Sequence, residues 1–231
     1  MRLALGFKTD ARDKSPQPPA DDMRDVIVRP QASPVAACSA ATLRPVFGEL
    51  DGQQFTTLLA DPPWRFLNRT GKVAPEHRRL SRYETMDAKE IAALPVGDLM
   101  APRSHCYLWV PNALMADGLL VLEQWGFTYK SVLVWHKVRR DGGSDGRGVG
   151  FYFRNVTEMV LFGVRGSLRT LPPGRRQVNL FASRKREHSR KPEELYDIVE
   201  ACSPGPYLEL FARHPRLGWA QWGEEAHPAY G

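Results

Sequence analysis

Cysteine is scarce in this chain: Cys38, Cys106 and Cys202 are the three it has in 231 residues. They stand far apart without the paired spacing of a zinc module, so neither a disulfide framework nor a metal site is expected, and a reducing cytoplasm suits the chain. Long apolar runs are missing as well. The opening MRLALGFKTD meets Lys8 and Asp10 before it reaches the length of a secretory signal. Nowhere does an uncharged segment extend far enough to span a bilayer, which makes a soluble protein with no membrane partner the expectation. There is no repeat period. The G-x-G-x-x-G fingerprint is absent too, which removes most support for a nicotinamide or flavin cofactor.

What the chain does have is enough apolar sequence, 42% of its residues, to bury one core of catalytic size. A formal charge of +6 is compatible with a polyanionic partner, so the placement of the bases matters more than their sum. Residues 1–40 mix Pro16, Pro18, Pro19, Pro30 and Pro34 with small and charged residues and no sustained period. They read as a flexible amino-terminal arm ahead of a domain over 41–231. Within that domain FTTLLA (Phe55 to Ala60), HCYLWV (His105 to Val110), KSVLVW (Lys130 to Trp135), TEMVLFGV (Thr157 to Val164) and YLELF (Tyr207 to Phe211) read as buried strands. One helix spans Asp87 to Leu94, opened by the capping-box pair Asp87 and Glu90, and another runs from about Asn112 to Trp125, ended by Gly126. A further helix follows Pro192, with Leu195, Ile198, Val199 and Cys202 on one face. Apolar strands alternating with helices give an α/β layered domain with a mainly parallel sheet.

One stretch inside this pattern is chemically unusual. In TTLLADPPWRF, Asp61 falls where the first strand should end, and ligands of parallel α/β sheets collect at the carboxyl ends of strands. Pro63 holds Pro62 extended and neither ring nitrogen can donate, so the chain leaves the sheet with its carbonyls in a fixed direction. The Asp61 carboxylate and the Pro62 carbonyl then make a rigid pair of acceptors. Such a pair suits a group with two N–H donors, as an exocyclic amine is, and Trp64 offers a flat surface to a ring. A turn capped by Asp61, with Trp64 filling the core, is the plainer alternative. Further on, Glu209 inside an apolar strand requires a partner, for which Arg213 is available. Lys191 stands just ahead of the Pro192 helix, where unpaired N–H groups and the dipole favour an anion.

ADPPW, YETM, LWV, WGFTY, WHK, GFYFRNVTEMVLFGVRG, EHSRKPEELY and LELFARHPRLGWAQWGEE, in that order, resemble one family. It is the adenine-N(6) methyltransferase family named after the seventy-kilodalton subunit of the mRNA adenosine methyltransferase, its bacterial and phage members above all. The likeness runs from about Phe55 to Glu225. It implies a Rossmann-like, S-adenosylmethionine-dependent methyltransferase fold in permuted order, with the catalytic loop ahead of the main cofactor segment. It also implies S-adenosyl-L-methionine as cofactor, no metal, and methyl transfer to the exocyclic N(6) amine of adenine. On this resemblance Asp61, Pro62, Pro63 and Trp64 are catalytic, while Asp61, Lys191, Glu209, Leu210, Phe211, Arg213, Glu224 and Glu225 surround the cofactor. Glu224 departs from the family, whose members usually carry asparagine there followed by glutamate or glutamine; a carboxylate can accept from ribose hydroxyls but cannot donate as an amide does.

The bases gather in segments that read as loops. Arg65, Arg69, Lys72, Arg78, Arg79 and Arg82 follow the catalytic tetrapeptide; Lys137, Arg139 and Arg140 open a glycine-rich segment; Arg175 and Arg176 belong to a third group with Arg165, Arg169, Arg184, Lys185, Arg186 and Arg190. As nucleic-acid contacts these would grip phosphates around an unstacked adenine. DNA is the expected polymer. RNA is the alternative, and a non-catalytic nucleic-acid-binding partner subunit is a third reading that the intact tetrapeptide opposes.

Overall fold

Alternation along the strands decides what packs on each face of the sheet. In β1 (Phe55–Ala60), Leu58 and Ala60 enter one core cluster and Leu59 the other. In β2 (Met100–Val110), Cys106, Leu108 and Val110 join the first cluster, Tyr107 and Trp109 the second. Successive side chains of a strand point to opposite faces, so both faces must be covered, and that is why these runs are apolar throughout. The computed structural model describes residues 46–65, 85–145, 152–184 and 191–223, all within one unit, Thr42–Gly231. The expected arm over 1–40 lies outside the described residues.

The first face is covered by three helices. α1 (Ala88–Ala92) carries the expected capping box, with Asp87 accepting from the backbone of Lys89 and Glu90 while Glu90 accepts from Asp87 N–H. α2 (Val96–Leu99) follows, and α3 (Met115–Gln124) is entered through a 3-10 turn at Asn112–Leu114 and ends before Gly126, whose φ of 85° suits glycine. α4 (Glu194–Cys202) covers the second face with Leu195, Ile198, Val199 and Cys202, the stripe expected from sequence.

The remaining strands are β3 (Thr128–Val138), β4 (Thr157–Arg165), β5 (Leu180–Arg184), β6 (Tyr207–Leu210) and β7 (Trp219–Trp222). The sheet order is β5-β3-β4-β2-β1-β6-β7. β1 is parallel to β2 and β6, β6 to β7, and β3 to β5, whereas β4 runs antiparallel between β2 and β3. One edge of the sheet therefore gathers the carboxyl ends of six strands and the amino end of β4.

A buried polar seam occupies the opposite edge. Tyr107 OH meets Ser203 Oγ at 2.7 Å, Ser203 Oγ meets His105 Nδ1 at 2.7 Å, and His105 Nε2 lies 3.2 Å from the Leu168 carbonyl. The hydroxyls of Thr56 and Thr57 both donate to the Pro204 carbonyl at 2.7 Å. These bonds tie β1 and β2 to the turn between α4 and β6.

Candidate active site

Asp61 is the first residue beyond β1, at the edge where strands end. Its backbone N–H reaches the Leu210 carbonyl at 3.4 Å, which seats it beside the end of β6. Both carboxylate oxygens lie 2.9 Å from Lys191 Nζ, so the ammonium grips the group bidentately. Lys191 also stands 3.5 Å from Glu158 Oε2 and 4.9 Å from the Trp109 ring centroid. Glu158 in turn pairs with Lys137, whose ammonium lies over the Trp135 ring. The result is a line of alternating charge, Asp61, Lys191, Glu158, Lys137, along the ends of β1, β4 and β3. Burial pulls the Lys191 pKa down, but Asp61 and Glu158 outweigh it and hold the value above the usual one. Burial acts to raise Glu158, and its two lysines overcome that and hold it below the carboxylate range.

The tetrapeptide is held by its neighbours. Pro62 O accepts the Trp64 N–H at 2.8 Å, leaving one lone pair available, and Pro63 O accepts Met86 N–H at 2.9 Å while Arg65 N–H donates to Met86 O at 2.9 Å. Trp64 differs from its expected part. It is 6% exposed and packs in the core, where its indole N–H donates to the Trp109 carbonyl at 2.9 Å. The ring therefore spends its face on core contacts because its one polar atom has a buried partner there, and it offers no open surface.

At the end of β6, Glu209 takes hydrogen bonds from Tyr196 OH at 2.7 Å and from the Gln221 amide at 2.6 Å. Desolvation raises its pKa, and the nearby Asp61 charge adds to the rise against those two bonds. Leu210 is fully buried, so it reaches the site only through its backbone. Phe211 is half-buried with φ of 64°, left-handed for a residue with a Cβ, and turns the chain out of the sheet. Its ring meets Trp222 edge-on at 5.7 Å. Gly223 closes β7 against this turn, where a Cβ would stand 2.4 Å from Ala212 O. Arg213 is close enough to Lys191 for its charge to oppose the lysine's protonation.

The bases divide. Arg65 hydrogen-bonds Thr85 and lies 3.4 Å from Glu90 and 3.9 Å from Asp87, which ties it to the α1 cap. A concavity of ≈ 570 Å³ lined by Arg65, Thr85, Met86 and Glu90 adjoins this loop, not Asp61 itself. Lys137, expected in a loop as a phosphate contact, is on β3 and paired with Glu158, because β3 runs beyond the apolar KSVLVW core. Arg139 pairs with Asp141 at 2.9 Å, and Arg140 is exposed nearby. Arg175 and Arg176 are exposed but sit at the wrong edge for the site. Their 3-10 turn, Pro173–Arg176, packs Gly174 against Cys202 at the far end of α4. The antiparallel course of β4 carries the chain there. Arg69, Lys72, Arg78, Arg79, Arg82, Glu224 and Glu225 lie outside the described residues.

Sequence reasoning missed Glu158, Trp109 and Trp135 as site residues. A lone acid early in TEMVLFGV was the available signal, by the same logic that singled out Glu209. Among the described residues no cluster of metal-ligating side chains occurs, and no helix is long and apolar enough to cross a membrane.

Comparison with known proteins places the MT-A70 family model on residues 55–225. A type II methyltransferase, M.MunI, of Mycoplasma sp is 30% identical over 197 residues, 78% of this chain and 81% of that protein. An N(6)-adenosine-methyltransferase MT-A70-like protein of Arabidopsis thaliana is 30% identical over 177 residues, 74% of this chain. The human N(6)-adenosine-methyltransferase catalytic subunit METTL3 is 28% identical over 162 residues, 69% of this chain. This chain spans about a quarter of the length of the last two, 24% and 26%.

Proposed function

This chain belongs to the MT-A70 family of S-adenosylmethionine-dependent adenine-N(6) methyltransferases, and from that premise we propose that it methylates the N(6) amine of adenine in DNA, with residues 41–231 as the methyltransferase domain. The observation that carries the reading is the Asp61 carboxylate, gripped by Lys191 at 2.9 Å beside the Pro62 carbonyl, within the matched segment.

The residues suit the cofactor. Its methionine end carries both signs of charge, and Asp61, Glu209, Lys191 and Arg213 supply both where β1 and β6 end. When bound, S-adenosylmethionine supplies an electrophilic methyl group on a positive sulfur. The amine of adenine is a poor nucleophile because its lone pair is delocalised into the ring. Asp61 and Pro62 accept its two hydrogens, which favours a more tetrahedral nitrogen with its lone pair directed outward. Lys191 fixes the plane of the Asp61 carboxylate. Because its charge is already matched by Asp61 and Glu158, we assign it to orienting Asp61 first and to the cofactor second. Orientation and preorganised charge supply the acceleration.

DNA is placed first because the type II methyltransferase is matched over 81% of its length. Adenosine in RNA is the second reading, favoured by the relatives named for it. Incubating the protein with methyl-labelled donor and duplex DNA, single-stranded DNA or RNA tests both. We expect label in DNA, recovered as N(6)-methyladenine after digestion; label confined to RNA reverses the choice, and none above an Asp61→Ala control refutes the enzyme.

A further inference from the structure

Two aromatic side chains stand in water at the reaction edge: Tyr152 is 94% and Phe153 85% exposed. Adjacent uncovered rings beside a site mark a surface built for a partner. The chain next to them is anchored. Asn155 Oδ1 accepts from the Asn112 amide at 3.3 Å, Val156 O accepts the Lys137 N–H at 2.8 Å, and Thr157 enters the β4–β3 register opposite His136. Phe153 therefore precedes Glu158 by a stretch that reaches at most about 18 Å when extended. Glu158 touches Lys191, which holds Asp61.

The neighbouring charge is positive. Arg154 is exposed beside the rings, and Arg140 and Arg184 are exposed where β3 and β5 end at the same edge, with Arg139, next to Arg140 in the chain, paired to Asp141. Exposed rings set among cations match a nucleic-acid strand, the cations for phosphates and the rings for base faces. An adenine reaches the Asp61 pocket only after leaving its stack, which bares the faces of the bases beside it.

We propose that Tyr152 and Phe153 stack on the bases flanking the target adenine and hold the strand open while that adenine occupies the site; the inference rests on the methyltransferase reading of the Asp61 pocket. The test is steady-state methylation of whichever polymer the wild-type protein modifies, comparing Tyr152→Ala/Phe153→Ala with the aromatic swap Tyr152→Phe/Phe153→Tyr and the apolar pair Tyr152→Leu/Phe153→Leu. Cofactor affinity is measured by calorimetry alongside. The alanine pair should raise KM for the polymer roughly 10-fold or more with cofactor affinity unchanged. The aromatic swap should restore KM and the leucine pair should not. An unchanged KM in the alanine pair, equal rescue by leucine, or cofactor affinity falling in step with KM overturns the stacking role. A wild-type protein that methylates neither DNA nor RNA refutes the enzymatic reading itself, a result distinct from an active enzyme indifferent to the alanine pair.

Discussion

Asp61 and Lys191 form a unit in which each residue explains the other's position. A half-buried ammonium is costly without a counter-charge, and Lys191 has two, at 2.9 and 3.5 Å. Asp61, in turn, owes the plane of its carboxylate to a bidentate grip that leaves further lone pairs for an amine. Asp61→Ala should therefore lower kcat by roughly 100-fold or more, the scale of one preorganised electrostatic contact, with the fold intact by circular dichroism. Lys191→Met should lower kcat as well, since the carboxylate loses its orientation. If the two act as one device, the double variant should be hardly worse than Asp61→Ala alone, and additive losses in the double-mutant cycle would separate their roles.

Short elements around the tetrapeptide hold it in place, and the α1 cap is the clearest of them. Asp87 accepts from two backbone N–H groups, Met86 immediately before it bonds Pro63, and Arg65 reaches the same cap. Asp87→Ala should cost about 1 kcal/mol of stability, measured by chemical denaturation, and should lower kcat because the loop loses part of its anchorage. This cap was legible in sequence because the capping box is a local signal. β1 was legible because a strand buried on both faces is a continuous apolar run, and the buried face of α4 because burial on one face leaves a period. β5 and β7 were not: LFASR and WAQW are short edge strands with mixed exposure, and β5 forms by pairing with β3, distant in sequence. The direction of β4 was equally hidden, since a strand buried on both faces has the same composition whichever way it runs. That reversal placed Arg175 and Arg176 at the far edge. It also brought Glu158 to the near one, where its partner is supplied by a residue outside its own element. Trp64 was misjudged because nothing in a motif reveals that an indole N–H has a carbonyl waiting on an adjacent strand.

The whole molecule separates chemistry at one edge of the sheet from structural polarity at the other, and the two should respond differently to acid. The seam at the far edge assigns a tautomer: His105 Nε2–H donates to Leu168 O, so Nδ1 accepts from Ser203, which accepts from Tyr107. Burial lowers the His105 pKa below the usual 6.5, against the opposing pull of the Leu168 carbonyl. A protonated ring would have two donors and would turn Nδ1 against the Ser203 proton. The unfolded chain binds this proton first as pH falls below about 6.5, so stability drops with acidification from there down to the folded-state value. Glu158, held low by its lysines, releases its share of stability only below the ordinary carboxylate value of 4.5, outside that window. Glu209, raised by burial, acts with the opposite sign from 4.5 up to its folded-state value, where stability falls as pH rises. Melting temperatures of wild type and His105→Gln, taken between about pH 5 and 7, isolate the histidine because the carboxylate contributions are common to both. The variant should melt lower at neutral pH, having lost a buried hydrogen-bonded ring, yet should lose less on acidification. Parallel melting curves would show that His105 does not carry the acid sensitivity and that the seam tolerates a second proton.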